Sequence, residues 1–202
     1  MQVALSILIP SIPSRFGRAM ALYNKILDKV GDRNIEVLMF TDNKKRTIGE
    51  KRNALKNSAN GKYFLFVDDD DDIDNIDLVY EAAQNNDVDV ITYKSKCKNI
   101  DGSHFIVTFG LGNEVEHKCN EKGMYVDIKR PPWHNAAWAN RYKQFDFAPV
   151  NYGEDWEFVK QCIAIAQTEY FIDEIVHYYN YDPNVTEADT SSNAVWKNPG
   201  KQ

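Results

Sequence analysis

Between residues 3 and 93 the chain alternates short apolar runs with stretches whose apolar residues recur at helical spacing, and this alternation restricts the fold more than any other feature. Residues 3–9 are β-branched and apolar, the pattern of a buried strand. Residues 16–30 place Met20, Tyr23, Ile26, Leu27 and Val30 at helical spacing. Residues 35–40 read as a second strand, and residues 48–59 as a second helix with Ala54, Leu55 and Ala59 on one side. Residues 63–67 form a third strand, residues 76–83 a third helix with Asp74 or Asn75 as N-cap, and residues 88–93 a fourth strand. Successive βα units of this length predict an α/β fold with a parallel sheet covered on both faces. In such a sheet ligands bind beyond the carboxyl ends of the strands, where residues 10–15, 41–43 and 68–72 fall.

The third strand runs directly into Asp68, Asp69, Asp70, Asp71 and Asp72. Five adjacent carboxylates repel one another unless a cation neutralises them, and oxygen-only ligands suit Mg²⁺, Mn²⁺ or Ca²⁺ rather than zinc. The other reading is a solvated acidic turn. Nearby, Lys44, Lys45, Arg46, Lys51 and Arg52 form a basic block that is either a solvated helix face or counter-charge for anionic phosphates.

The second half has a different texture. Residues 97–127 read as short strands and polar turns such as Asp101-Gly102 and Leu111-Gly112-Asn113. Arg130-Pro131-Pro132 interrupts any regular element. A helix is predicted from near Tyr152, with Trp156, Val159, Ile163 and Ala166 on one face. Residues 170–181 form a strand or a pair of strands, and residues 182–202 a polar, loosely held tail.

With 202 residues, 43% hydrophobic and 27% charged, the chain fits one soluble domain or one with a small appendage. The net charge of −6 gives no overall attraction to nucleic acid or to an anionic membrane. No apolar run reaches the roughly 18 residues of a spanning helix, so no membrane insertion is expected. Cys97, Cys119 and Cys162 are odd in number and lack a Cys-x-x-Cys spacing, which points to free thiols and a cytoplasmic location.

Four segments in this order resemble one family: Ser6-Ile7-Leu8-Ile9-Pro10-Ser11, Gly49-Glu50-Lys51-Arg52-Asn53, Phe66-Val67-Asp68-Asp69-Asp70-Asp71 and Gly153-Glu154-Asp155. The chain resembles, over nearly its whole length, a GT-A fold glycosyltransferase of the inverting, family-2-like kind. The resemblance implies a Rossmann-like nucleotide-binding sheet with a mixed C-terminal acceptor-binding part. Residues 1–96 would form the nucleotide-sugar half, residues 97–182 the acceptor and general-base half, and residues 183–202 the tail. The donor would be a nucleotide-diphosphate sugar, with a UDP-sugar favoured, and the cofactor Mn²⁺ or Mg²⁺.

By the same resemblance Asp68 serves the ribose or the metal, Asp69 the donor, and Asp70 the metal. Arg52 and Lys51 would face the diphosphate or the base, with Pro10, Ser11 and Ile12 beneath the nucleotide and Asp42 near its base. Asp42 equally suits an Asx turn. Asp155 is the expected general base, at a helix N-terminus where free N–H groups favour the carboxylate, with Glu154 holding an acceptor hydroxyl or orienting the base. Both could instead simply cap the helix. Trp133, His134, Asn135 and Trp138 are the expected acceptor-binding segment, although core packing explains Trp138 equally well. His177 could reach the metal or diphosphate, or be structural. The chain departs from the family at Asn180-Tyr181-Asp182, where relatives often carry a His.

Other classes remain open at this stage. A metal-dependent nucleotidyltransferase shares the metal, the nucleotide and a related sheet. A calcium module matches Asp70, Asp72, Asp74 and Glu81, but Asn75 stands where the loop needs Gly and Asp77 where it needs an apolar residue. A dehalogenase-type phosphatase would carry its paired aspartates on the first strand and a Thr or Val in place of Asp72. The acceptor could be a saccharide, a protein or a hydroxylated DNA base, the last if Lys118, Lys122, Lys129, Arg130, Arg141 and Lys143 formed a basic entrance.

Overall fold

The computed structural model describes residues 3–99 and 101–180, so the expected tail at 183–202 lies outside the described residues. The chain runs β1 (Leu5–Ser11), α1 (Phe16–Val30), β2 (Ile35–Thr41), α2 (Ile48–Ser58), β3 (Tyr63–Phe66), β4 (Asp72–Ile73), α3 (Ile76–Asn85) and β5 (Val90–Lys98). It continues through β6 (His104–Phe109), β7 (Glu116–Cys119), β8 (Tyr125–Arg130), β9 (Ala137–Ala139), α4 (Glu154–Ile165) and β10 (Glu169–Tyr179). Among the described residues, no helix is long and apolar enough to cross a membrane.

β1 pairs in parallel with β2 and β3, as expected. Every residue of β1 and β3 is buried, which is why both read as unbroken apolar runs rather than alternating ones. Burial of each Leu, Ile or Phe here contributes about 1.5–3 kcal/mol. The fourth expected strand, now β5, does not continue the parallel set beside β3. The short β9 lies between them and is antiparallel to both, so the sheet is mixed. β10 runs parallel to β5 along its length, and β6 takes over the edge of β5 beyond β9. β6, β8 and β7 extend the sheet around a second small core of Cys97, Phe105, Val107, Phe109, Tyr125 and Ile128. The expected division at 96/97 falls inside β5.

Two helices bury a stripe that overlaps the expected one but is rotated from it. α1 buries Ala19, Leu22, Ile26 and Val30 while Leu27 is exposed. α4 buries Phe158, Val159 and Cys162 and turns Trp156 to the surface. α3 begins after Asn75, but that residue does not cap it through its side chain. Asn75 instead takes φ 49° and donates from Nδ2 to the Ile175 carbonyl at 2.9 Å, tying the helix start to β10.

α2 is closed by a capping box in which Thr47 Oγ1 accepts from the Glu50 N–H at 3.2 Å and Glu50 accepts from the Thr47 N–H at 2.7 Å. Its first turn docks against residues 148–150, where the Gly49 N–H donates to the Val150 carbonyl at 3.2 Å. A Cβ at Gly49 would collide with the Ala148 carbonyl, so only glycine permits this approach. The approach brings α2 beside the start of α4.

Candidate active site at the strand ends

The aspartates that follow β3 meet several different partners, with Arg15 shared by two of them. Asp68 accepts from Arg52 Nη2 at 3.0 Å, and Arg52 Nε donates to Glu154 at 3.1 Å. Arg15, on the short 3-10 turn after β1, sits 3.0 Å from Asp69 through Nε and 2.7 Å from Asp70 through Nη1. Asp71 accepts from the Asn180 N–H at 3.0 Å and lies 3.1 Å from His177 Nε2. Asp72 pairs with Lys25 at 2.6 Å, and Asp74 with Lys29. Neither bland reading holds in full: Asp69 is buried and the other four aspartates are half-buried, and of the basic block Lys51 and Arg52 lie inside the protein.

The balance of charge in this loop is unfavourable to anions. Among the described residues these five carboxylates pair with three guanidinium or ammonium groups, and Arg15 and Arg52 are each shared between two acids. Burial, reinforced by the charges of Asp68 and Asp71, pushes the Asp70 carboxyl up to about 6. Asp69 is also raised, first by burial. Asp68 goes the other way, because Arg52 and His134 outweigh its burial. Arg52 is held even more firmly charged by Asp68 and Glu154 despite complete burial.

This donor set fits a hard divalent cation. It is all oxygen, and its excess negative charge at Asp70 is what such an ion would relieve. Among the described residues no three His, Cys, Asp or Glu side chains converge on one point. The fit is therefore to an ion held by one or two carboxylates, with phosphate and water completing its shell, rather than to a protein cage. The calcium-loop spacing is not gathered round one point either, since Asp70, Asp72 and Asp74 turn to Arg15, Lys25 and Lys29 respectively.

At the carboxyl ends of the first two strands, Pro10 and Ser11 end β1 as buried residues and Asp42 follows β2. Lys51 Nζ joins these strand ends, donating to the Ser11 carbonyl at 3.0 Å and lying 2.9 Å from Asp42. That contact with Lys51 chiefly holds the Asp42 carboxyl below its usual range. Asp42 also accepts from the Arg46 N–H at 2.9 Å, so it shapes its loop as well as lining the crevice.

Across from the aspartates stands Asp155, in the first turn of α4. Its Oδ2 accepts from Trp133 Nε1 at 2.8 Å and lies 3.1 Å from His134 Nδ1. The other nitrogen of the His134 ring is 3.9 Å from Asp68 Oδ2, so one imidazole spans the gap between the two carboxylates. Burial alone would raise the Asp155 carboxyl, but His134, Arg52 and the Trp133 N–H hold it well below the usual range. Glu154 is buried and committed to Arg52, which couples the start of α4 to Asp68.

Two expected acceptor residues belong elsewhere. Trp138 is fully buried on β9, packed against Tyr142 and Phe158, because it fills the space between β3 and β5. Asn135 is also buried; its carbonyl accepts from Tyr93 OH and its Nδ2 lies 3.5 Å from Ser95 Oγ. Ser95 Oγ is in turn 3.1 Å from His177 Nδ1, so His177 bridges Ser95 and Asp71 at the rear of the acidic loop. Of the six cations expected at a basic entrance, Arg130 stacks over Trp133 at 3.9 Å, Arg141 pairs with Asp89, and Lys143 donates to the Ala59 carbonyl. Arg15 was absent from the sequence-based set, since a lone Arg in a Pro-Ser loop carries no pattern. Trp156, expected on the core face of its helix, is half exposed directly after Asp155.

No family model and no curated protein sequence matches the chain. Solved structures do. S. aureus TarS aligns over 91% of this chain and 37% of its own, at TM-score 0.56 and 15% identity. TarS 1-349 in complex with UDP-GlcNAc aligns over 90% of this chain and 59% of its own, at TM-score 0.60 and 16% identity. The complex with UDP aligns over 91% and 61%, at TM-score 0.56 and 16% identity. The chain thus spans less than two thirds of the length of these structures, and what it shares with them is the fold, a GT-A type Rossmann-like α/β sheet.

Proposed function

We propose that this protein is a glycosyltransferase that moves a sugar from a UDP-sugar to an acceptor hydroxyl with inversion. One observation carries the reading: Asp155 faces Asp68 across a gap spanned by His134, at 3.1 Å and 3.9 Å, beyond the carboxyl ends of the parallel strands. Support comes from the fold, since the similar TarS structures hold UDP-GlcNAc and UDP.

In this reading the nucleotide lies across β1 and β2, over Pro10 and Ser11, with Asp42 held by Lys51 at the base end. Mn²⁺ or Mg²⁺ at Asp70, with Asp68 beside it, would stabilise the negative charge that grows on the leaving diphosphate. Arg52 orients Asp68 and Glu154 from below, and it is too deeply enclosed to leave them for the diphosphate without a large rearrangement. Arg15, already on Asp69 and Asp70, is the cation at the mouth of the same loop.

Asp155 receives the acceptor proton as the acceptor oxygen bonds to the anomeric carbon and the bond to the diphosphate breaks, its electron pair leaving with UDP. A carboxylate of low basicity suffices, because the hydroxyl becomes strongly acidic only as the new bond forms. Trp133 and His134 hold that carboxylate in place, leaving little of the barrier to be spent on orientation.

The test is incubation of the protein with Mn²⁺ and a panel of UDP-sugars, with UDP release followed in the absence of acceptor. Slow hydrolysis of one donor supports the reading. Turnover of free nucleoside triphosphates with no release of UDP from any sugar donor would replace it with nucleotidyl transfer.

A further inference from the structure

Three large hydrophobic side chains stand exposed within a few residues of Asp155: Val150, Tyr152 at 54% and Trp156 at 51%. Around a half-buried carboxylate that is an unusual surface, and its geometry is fixed from beneath. Trp133 donates its indole N–H to Asp155 Oδ2 at 2.8 Å, carries the Arg130 guanidinium over its ring at 3.9 Å, and meets the Trp156 ring at 5.7 Å with 34° between planes. Trp133 thus contacts both Arg130 and Trp156, and Trp156 presents an exposed aromatic surface beside it.

Resting on the reading of Asp155 as the general base, we infer that Trp156 is the platform on which the acceptor lies, and that the acceptor is an uncharged saccharide. An indole face accepts the apolar C–H face of a pyranose ring while leaving its hydroxyls free at the edge, where one must reach Asp155. Charge decides against the alternatives. Glu154 is buried against Arg52, which leaves Asp155 and Glu157 in the first turn of α4 against one exposed lysine of the same helix, Lys160. A phosphorylated or sulfated chain would meet more carboxylate than cation there, and nucleic acid binding needs clustered cations.

The experiment is a binding screen of the intact protein, with Mn²⁺ and UDP present, on an array of neutral glycans, sulfated and phosphorylated glycans, and short oligonucleotides. UDP affinity of the same protein is measured by calorimetry. Neutral glycans should bind best, with Trp156→Ala weakening that binding at least tenfold and Trp156→Phe by no more than about threefold. Preference for anionic glycans or oligonucleotides, absence of glycan binding, or an unchanged Trp156→Ala variant would overturn the inference while UDP binding persists. Loss of UDP binding by the unaltered protein would instead remove the reading on which it rests.

Discussion

Replacing Asp70 by Asn should make the metal-free protein more stable and less able to bind nucleotide. Asp70 ionises near 6 in the folded protein against 3.8 ordinarily, because it is buried beside Asp68 and Asp71. The native state therefore holds this proton more tightly than the unfolded chain, and between those two pH values stability falls as pH rises. Above pH 6 the ionised carboxylate costs up to about 3 kcal/mol, since about two pKa units separate the states at 1.36 kcal/mol each. An Asn amide keeps an acceptor for Arg15, which lies 2.7 Å away, without the repulsion from its neighbours. Allowing for relaxation and residual solvent, urea unfolding in EDTA at pH 8 should show a gain of about 1–3 kcal/mol. The gain should shrink through pH 5 and vanish near pH 4. A variant less stable than the parent at pH 8, or a gain that does not change with pH, would refute the electrostatic argument.

Other perturbations separate the roles of the remaining residues. Asp155→Asn should keep UDP affinity within about twofold yet lower transfer by about 10²–10⁴-fold, as loss of a general base does; full activity in a coupled UDP-release assay with acceptor would place the base elsewhere. Arg52→Leu strands the half-buried Asp68 and the buried Glu154 carboxylates and should cost about 2–4 kcal/mol in urea unfolding, part of which Glu154→Gln restores in the double variant. Additive losses in that double variant would contradict the shared pair. Gly49→Ala forces α2 away from the Ala148 carbonyl and should lower both stability and UDP affinity; an unchanged melting temperature would show that residues 148–150 yield freely.

The sequence disclosed the features that rest on repeated local patterns. The parallel β1 and β3 were visible because strands buried on both faces are unbroken apolar runs. The Asp loop and the Glu154-Asp155 turn were visible because their residue types are conspicuous at a strand end and at a helix start. β9 was not, since Ala137-Trp138-Ala139 is too short to show any period, and Trp138 looked like a sugar contact until its place between two strands was known. Which stripe of α1 or α4 faces inward is decided by packing on the sheet, and this hid Trp156. The burial of Lys51, Arg52 and Lys56 was equally hidden, because a charged residue enters a core only when partners distant in sequence, such as Asp42, Glu154 and Asp146, complete it.

Calorimetric titration of the protein with UDP, with and without Mn²⁺ or Mg²⁺, tests the central claim most directly. The account predicts saturable binding that strengthens at least tenfold with either cation and loses that gain in Asp70→Ala. Failure to bind UDP in the presence of either ion, or a cation effect that survives Asp70→Ala, would contradict it.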